Sequence, residues 1–564
     1  MGIPSYFSYI IKNYSNIIRN LYMLRNDRVS FQHLYMDCNS IIYDVFRQIE
    51  IEHPELLEDI STLEDRIIRA TIDKINEYIE LIRPSKTVYI AFDGVAPFAK
   101  MDQQRNRRYK GAVLSKMISH MVDNGSGSNT DKLGWSTSNI TPGTKFMEKL
   151  SKRVAKTFDK METHYKTERI IVSAADECGE GEHKMFRYMR GQTAETLKCE
   201  TAAVYGLDSD LIMLSIFHCR MFDNMYIFRE TPEFIKSSIS VPEDPDNPFD
   251  QNDPRKPKPC SFMDIRQLSS AILIEMQCGV PDNQRIFDYV FLCFFLGNDF
   301  LPHFPALNIR TNGIDTLMNT YRRLIGCKAD RFFISRDMRI QWKWVLLFIT
   351  ELAKYEHDYI LAEYDLREKW GKRKWLVGTA EERDNTFNSV PVIYRAEEEY
   401  ICPKERGWEA RYYKSLFHEH VSAAANMNDF SRKVSLNYLE GLEWVFKYYT
   451  VDCPHWRWKY HFHYPPLLAD LVKHIPHTQE YDFIKSDAFS SSPFIPTVQL
   501  AYVLPLSNHG LLPPKVQDIL QKKHGEMFPV DFGFQWAFCR YFWEAHAQLP
   551  EIPMEILDKW TKAF

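Results

Sequence analysis

Five separated stretches of this sequence set acidic side chains beside glycine, asparagine or an apolar run. They are Leu34-Tyr-Met-Asp37, Val88-Tyr-Ile-Ala-Phe-Asp93, Gly179-Glu-Gly-Glu182, Val204-Tyr-Gly-Leu-Asp-Ser-Asp210 and Phe295-Leu-Gly-Asn-Asp299. Carboxylates gathered in a fold repel one another unless a cation neutralises them. Hard oxygen donors with no His or Cys among them suit Mg²⁺ or Mn²⁺ rather than zinc. Two such ions about 4 Å apart would activate a water, orient a phosphate and stabilise a departing 3′ oxygen. The pattern predicts a metal-dependent nuclease.

Such acids need a scaffold that brings them together. Through about residue 330, short runs rich in β-branched and aromatic residues alternate with helical periodicity. Strands are expected at 33–37, 87–92, 168–173, 202–207 and 225–229, and helices at 62–82, 145–162, 182–190, 264–277 and 285–297. That alternation implies βαβ units and an α/β fold with a mostly parallel central sheet flanked by helices. Asp37, Asp93 and the Asp208/Asp210 pair then sit at strand ends, which share one edge of a parallel sheet. Residues two apart do not share a helix face, so Glu180/Glu182 and Asp208/Asp210 are expected in turns or extended backbone. Gly181 would relieve crowding between its two acids.

An Asp at a strand end is, taken singly, most often a turn former or a helix cap. The cluster as a whole resists that reading, because capping does not require acids to converge. Asp299 is the odd case: it follows an apolar helical run, and helix C-termini disfavour anions.

Directly after the Asp93 strand comes Lys100-Met-Asp-Gln-Gln-Arg-Asn-Arg-Arg-Tyr-Lys110. Lys100, Gln104, Arg107 and Arg108 fall on one helix face, able to grip a terminal phosphate through charge-assisted bonds. A solvated basic face is the commoner fate of such a run; the neighbouring acids favour the phosphate. His455-Trp-Arg-Trp-Lys-Tyr-His-Phe-His-Tyr464 interleaves aromatics with cations. It could stack nucleobases, although core packing is the default for such a block. His461 and His463 have no third metal ligand nearby in sequence.

Bulk properties are those of an ordinary globular chain: 564 residues, 26% charged, 45% hydrophobic, net charge −5. They exclude a wholesale basic nucleic-acid binder but not a local basic path. The 11 cysteines contain no CxxC pair, and Cys38, Cys178 and Cys293 adjoin candidate functional segments. Free thiols in a reducing compartment are expected, not a disulfide framework or a zinc site. There is no signal-peptide pattern, and Gly2 opens no myristoylation signal because position 6 is Tyr. The apolar run Tyr289–Leu296 is far short of a membrane span. The protein reads as soluble and intracellular, of the cytoplasm rather than the nucleus. Segments 121–130 and 242–259, rich in Gly/Ser/Asn and in Pro, read as surface loops. Three regions are expected: a catalytic domain over 1–330, a helical connector with an irregular charged insertion over 331–430, and an aromatic-rich helical region over 431–564 that completes the active-site channel.

The same segments resemble a known family. Met1-Gly-Ile-Pro4, Asp37-Cys-Asn-Ser-Ile-Ile42, Phe92-Asp-Gly-Val-Ala-Pro97, Lys100 to Arg108, Ile140-Thr-Pro-Gly-Thr144, Gly179-Glu-Gly-Glu-His-Lys184, Tyr205 to Leu214 and Leu296-Gly-Asn-Asp-Phe-Leu-Pro-His303 occur in the order found in the Xrn/Rat-type 5′→3′ exoribonucleases. Gly441-Leu-Glu-Trp444 through Tyr464-Pro465 is similar to that family's second conserved region. The resemblance implies a PIN/FEN-like nuclease core with Asp37, Asp93, Glu180, Glu182, Asp208, Asp210 and Asp299 as ligands of two Mg²⁺ ions. It implies a supporting role for Asp176, a 5′-monophosphate pocket of Lys100, Gln104, Arg107 and Arg108, and base stacking by Trp456 or Trp458, with Trp456 preferred. Tyr43 stands where the family usually has a stacking His. Ser40, Phe98, Lys145 and Cys178 replace a usual Gly, Arg, Glu and Pro, and none of these removes a ligand. Against that family, a chain without the long C-terminal extension of the large cytoplasmic members is expected.

The implied activity is processive 5′→3′ degradation of single-stranded RNA bearing a 5′-monophosphate, releasing nucleoside 5′-monophosphates. A monomer is expected, and a cap or triphosphate should not fit. Two rivals remain at this point. A structure-specific 5′ flap endonuclease shares the acidic constellation, and a weakly catalytic RNA 5′-end-binding scaffold would share the pocket. Partners in RNA decay, such as decapping factors, are not specified by the sequence.

Overall fold

A computed structural model describes residues 2–122, 135–193, 197–206, 208–231, 259–279, 282–417, 424–478, 480–485 and 491–564. The two segments read as surface loops fall almost wholly outside the described residues. The apolar runs form strands β2 (His33–Asp37), β3 (Thr87–Ala91), β4 (Arg169–Ser173), β5 (Thr201–Tyr205) and β6 (Asn224–Glu230). All five are parallel, with β2 between β3 and β5. Two antiparallel strands that the sequence reading missed, β1 (Ile18–Asn20) and β7 (Cys260–Asp264), extend the β6 edge. The full seven-stranded order is β1-β7-β6-β5-β2-β3-β4. Both additions are edge-side and short, and β1 has only three residues, too few to show a period.

Helices cover both faces. Ile60–Ile82 presents Ile67, Ile68, Ile75 and Ile79 to one side of the sheet, and Asp59 caps its first turn through the amides of Ser61 and Thr62. Lys145–Phe158 is shorter than expected, since the chain turns at Lys160 with positive φ. The run after Arg285 is helical only to Cys293 and tightens into a 3₁₀ turn at Phe294–Leu296 before Gly297, whose φ is 82°. That break frees Asp299 from any helix C-terminus, which removes the dipole conflict.

Beyond the sheet the chain is largely helical. The charged part of the 331–430 connector, expected to be irregular, consists mostly of helices: Glu356–Gly371, Ala380–Asn388, Val390–Ile393 and Ala396–Ile401. Three of its charges, Arg367, Arg395 and Glu398, are buried. Buried Glu398 accepts from Arg367 and Arg395 and from the Phe538 amide. The two parts share their interior: Tyr6, Val204 and Phe291 lie in one apolar cluster with Trp342, Trp444 and Tyr449. Among the described residues, no helix is long and apolar enough to cross a membrane.

Candidate active site

The sheet places the acids. β2 and β5 are adjacent and parallel, yet the chain goes from β2 to β3 and β4 on one side before returning to β5 on the other. A crevice opens where the connections diverge, at the carboxyl ends. Asp37 ends β2, Asp93 follows β3 by two residues, and Asp208 follows β5. Glu180 and Asp208 each precede a helix, Gly181–Arg190 and Ser209–His218, with Glu182 and Asp210 in the first turns. The acid pairs therefore straddle helix starts, contrary to the expected turn or extended backbone. The positive end of the helix dipole favours anions there. Neither Glu180 nor Asp208 uses its side chain as a cap, so the capping explanation fails at both.

The carboxylates crowd one another. A Cβ on Gly181 would meet Asp37 Oδ1 at 2.6 Å and Asp93 Oδ1 at 3.5 Å, which leaves glycine the only residue that fits. The Gly181 amide donates to Asp93 Oδ1 at 2.7 Å, and Asn39 holds the other Asp93 oxygen at 2.6 Å. Gly2, with φ 51°, lies against Asp210: its Cβ would come within 2.5 Å of Oδ1. Lys100 reaches inward, its ammonium 2.5 Å from Glu180 Oε2 and 2.8 Å from Asp299 Oδ2. From the far helical region, Tyr448 and Tyr449 donate to Glu180 and Asp210. Asp176 is exposed in the turn after β4.

Sequence reasoning missed three contributors. Lys184 is buried and donates to the carbonyls of Phe92 (2.9 Å) and Ala174 (2.7 Å), tying together the ends of β3 and β4. Its Gly-Glu-Gly-Glu-His-Lys context was visible, but nothing marked it as a strut. Tyr448 and Tyr449 had no signal at all, since an aromatic pair late in a helix reads as core.

The basic face is real and is divided between tasks. Phe98–Val122 is one helix carrying Lys100, Gln104, Arg107 and Arg108. Lys100 joins the acids, Gln104 is buried with its carbonyl oxygen unpaired, and Arg107 is exposed. Arg108 donates to Thr141, and burial lowers its pKa to about 10, countered by nearby Tyr43. The other face is fastened to the C-terminal region: Arg105 donates to the carbonyls of Pro550 and Met527, both at 2.9 Å. The Phe98 amide donates to the Trp456 carbonyl at 2.9 Å, which sets half-buried Trp456 at the start of this helix. Trp458, also half-buried, stacks on Trp444, centroids 5.2 Å apart. His463 stacks on His546 at 4.7 Å.

Known proteins resemble this chain along nearly its whole length. A family model described as the XRN 5′-3′ exonuclease N-terminus matches residues 1–231, and one described as the Xrn1 helical domain matches 281–400 and 394–563. The chain belongs to the Xrn 5′–3′ exonuclease family. Among its Xrn relatives, the 5′-3′ exoribonuclease 2 of Gallus gallus is 27% identical over 98% of this chain and 68% of its own length. The homolog from Drosophila melanogaster is 26% identical, over 99% and 70% respectively. The Arabidopsis thaliana 5′-3′ exoribonuclease 2 is also 26% identical, over 98% and 66%.

The Xrn acids fit a divalent ion by their electrostatics. Burial pushes Asp37 well above the usual carboxylate range, and Asp93 and Asp208 add to it. Burial, then Asp210 and Glu180, do the same to Glu182. Asp37 Oδ1 and Glu182 Oε2 are buried with no hydrogen-bond partner, acceptors that lack a positive partner. Burial opposes Asp299 as well, yet Lys100 holds it far below its ordinary value. Among the described residues no three His, Cys, Asp or Glu side chains stand as a ready-made cage; Lys100 lies in their midst instead. The phenols of Tyr448 and Tyr449 are raised by burial and by the carboxylates they touch, so both stay O–H donors.

A pH dependence follows. Burial and Asp299 lift Asp210 from 3.8 to about 6. The folded cluster therefore holds a proton that the unfolded chain releases, so this destabilisation is absent below the unfolded value and complete above the folded one. Stability of the metal-free protein should fall as pH rises through that window. A divalent ion that replaces the proton should restore it, so Mg²⁺ should raise the melting temperature more at about pH 7.5 than at about pH 5. Melting curves with Mg²⁺ and with EDTA at the two pH values check this; an equal Mg²⁺ effect would refute it.

Proposed function

We propose that this Xrn chain is a processive 5′→3′ exoribonuclease that hydrolyses single-stranded RNA bearing a 5′-monophosphate, one nucleotide at a time, with two bound Mg²⁺ ions. The observation that carries this reading is the placement of one helix. Phe98–Val122 starts beside the acidic cluster, gives Lys100 to it, and presents Gln104, Arg107 and Arg108 along the adjoining turns. A cationic cradle at one end of an acidic site suits a chain terminus. The ligands would be Asp37, Asp93, Glu180, Glu182, Asp208, Asp210 and Asp299, with Mn²⁺ an acceptable substitute for Mg²⁺. Bound there, the ions supply charge stabilisation at the scissile phosphate and an activated water.

The chain's own residues supply the rest. Arg107 and Arg108 bind the terminal phosphate through charge-assisted hydrogen bonds, and Gln104 can donate its amide to it. Tyr43, close to Arg108, and Trp456, at the helix start, offer faces on which the leading bases stack. Water adds to phosphorus, and the bond from phosphorus to the 3′ oxygen breaks. The released unit is a nucleoside 5′-monophosphate, and the shortened RNA keeps a new 5′-monophosphate. Each product end is again a substrate, so the same step can repeat along the strand.

The test is a degradation ladder on RNAs that differ only in a 5′-hydroxyl, monophosphate or triphosphate, with Mg²⁺ or EDTA. Mononucleotides should appear from the monophosphate RNA in Mg²⁺ alone. Equal rates on hydroxyl and monophosphate ends would remove the pocket assignment. Cleavage at a branched DNA junction without mononucleotide release would favour a flap endonuclease.

A further inference from the structure

The helix Ala424–Thr450 belongs to the region beyond the sheet, yet its last turn sends two consecutive phenols into the acidic cluster. Tyr448 Oη donates to Glu180 Oε1 at 2.8 Å, and Tyr449 Oη donates to Asp210 Oδ1 at 2.8 Å. These bonds join residues 268 and 239 positions apart, so they form only when the whole chain has folded. Neighbouring residues on a helix diverge by about 100°, so the pair serves two different carboxylates rather than one.

Both rings are clamped. Tyr448 lies flat on His183, centroids 3.6 Å apart at 19°, with Trp444 at 4.8 Å on its helix. Tyr449 meets Phe294 edge-on at 5.4 Å and His183 at 5.6 Å. Each phenol is 1% exposed. A donor fixed on one carboxylate oxygen sets the rotation of the group and aims the other oxygen. In Glu180 that second oxygen, Oε2, is the one 2.5 Å from the Lys100 ammonium, so it already faces a cation. Partners of this kind orient ligands in metal sites generally.

We propose that Tyr448 and Tyr449 are positioning residues that turn Glu180 and Asp210 to receive divalent ions, making the helical region part of the metal site. The proposal rests on the two-metal reading above. Tyr448→Phe and Tyr449→Phe keep the rings, the stacking and the packing, and delete only the donors.

The experiment titrates the full chain with Mn²⁺ in the absence of RNA, by calorimetry or by the loss of the free-ion paramagnetic signal. It includes wild type, the two Phe variants and Asp37→Ala, and it measures melting in EDTA to verify folding. Each Phe variant is expected to bind Mn²⁺ about 10-fold more weakly. Its decay of 5′-monophosphate RNA should need correspondingly more Mg²⁺, with KM for RNA unchanged and kcat recovered at saturating metal. A merely structural defect would not be rescued by metal. If wild type binds Mn²⁺, Asp37→Ala does not, and both Phe variants match wild type, the positioning role is overturned while the metal reading stands. If wild type and Asp37→Ala bind Mn²⁺ alike, the metal reading itself fails.

Discussion

Asp37→Ala is expected to abolish RNA decay while making the metal-free protein more stable. Asp37 ends the central strand β2, and its Oδ1 is buried without a hydrogen-bond partner. Burial, Asp93 and Asp208 all disfavour its ionised form. Removing a buried, unsatisfied acceptor relieves a penalty of about 1–3 kcal/mol. The loss in activity should be far larger. Charge stabilisation by a bound metal is worth several kcal/mol, which corresponds to at least about 10³-fold in kcat. Single-turnover decay in Mg²⁺ and melting in EDTA measure the two effects on one preparation. Opposite signs identify a residue held for chemistry at the expense of the fold. A variant that loses both stability and activity would make Asp37 structural.

Arg107→Ala should separate substrates by their ends. Arg107 is exposed on the helix face proposed to bind the phosphate, whereas Arg108 is already bonded to Thr141. Truncating Arg108 would also loosen the turn around Thr141, so Arg107 is the cleaner probe. A charge-assisted hydrogen bond contributes about 1.5–3 kcal/mol. The fall in kcat/KM on 5′-monophosphate RNA should therefore be about 10- to 100-fold. Decay of 5′-hydroxyl RNA, already slow, should change little. A uniform drop on both RNAs would mean that Arg107 contacts the strand rather than its terminus.

Much of this arrangement was legible in the sequence, for a physical reason. Strands such as Leu34-Tyr-Met and Val88-Tyr-Ile are buried on both faces, so their apolar runs were unmistakable. Acids at their ends had to share an edge. The basic helix showed its face because its spacing is local. Misreadings arose where the deciding contact is distant or the segment short. β1 exists only because β7 accepts it, with Ile18 opposite Met263. The Glu180/Glu182 and Asp208/Asp210 pairs looked incompatible with helix because the reading treated each pair as lying wholly inside or wholly outside one. A helix start allows one acid at the cap and one in the first turn. Lys184, Tyr448 and Tyr449 matter only through partners far along the chain or on the backbone, and no periodicity reports those.

The helix Phe98–Val122 has one more consequence, a matter of measurement. Lys100 touches the acids and Arg107 comes seven residues later on the same uninterrupted helix, a rise of about 10.5 Å at 1.5 Å per residue. With Arg105 anchored to Pro550 and Met527, that interval is a fixed gauge. If Arg107 grips the terminal phosphate as proposed, a rigid rod sets the length of chain admitted between that grip and the acids. A loop could stretch to admit a dinucleotide; this helix could do so only by gaining a turn.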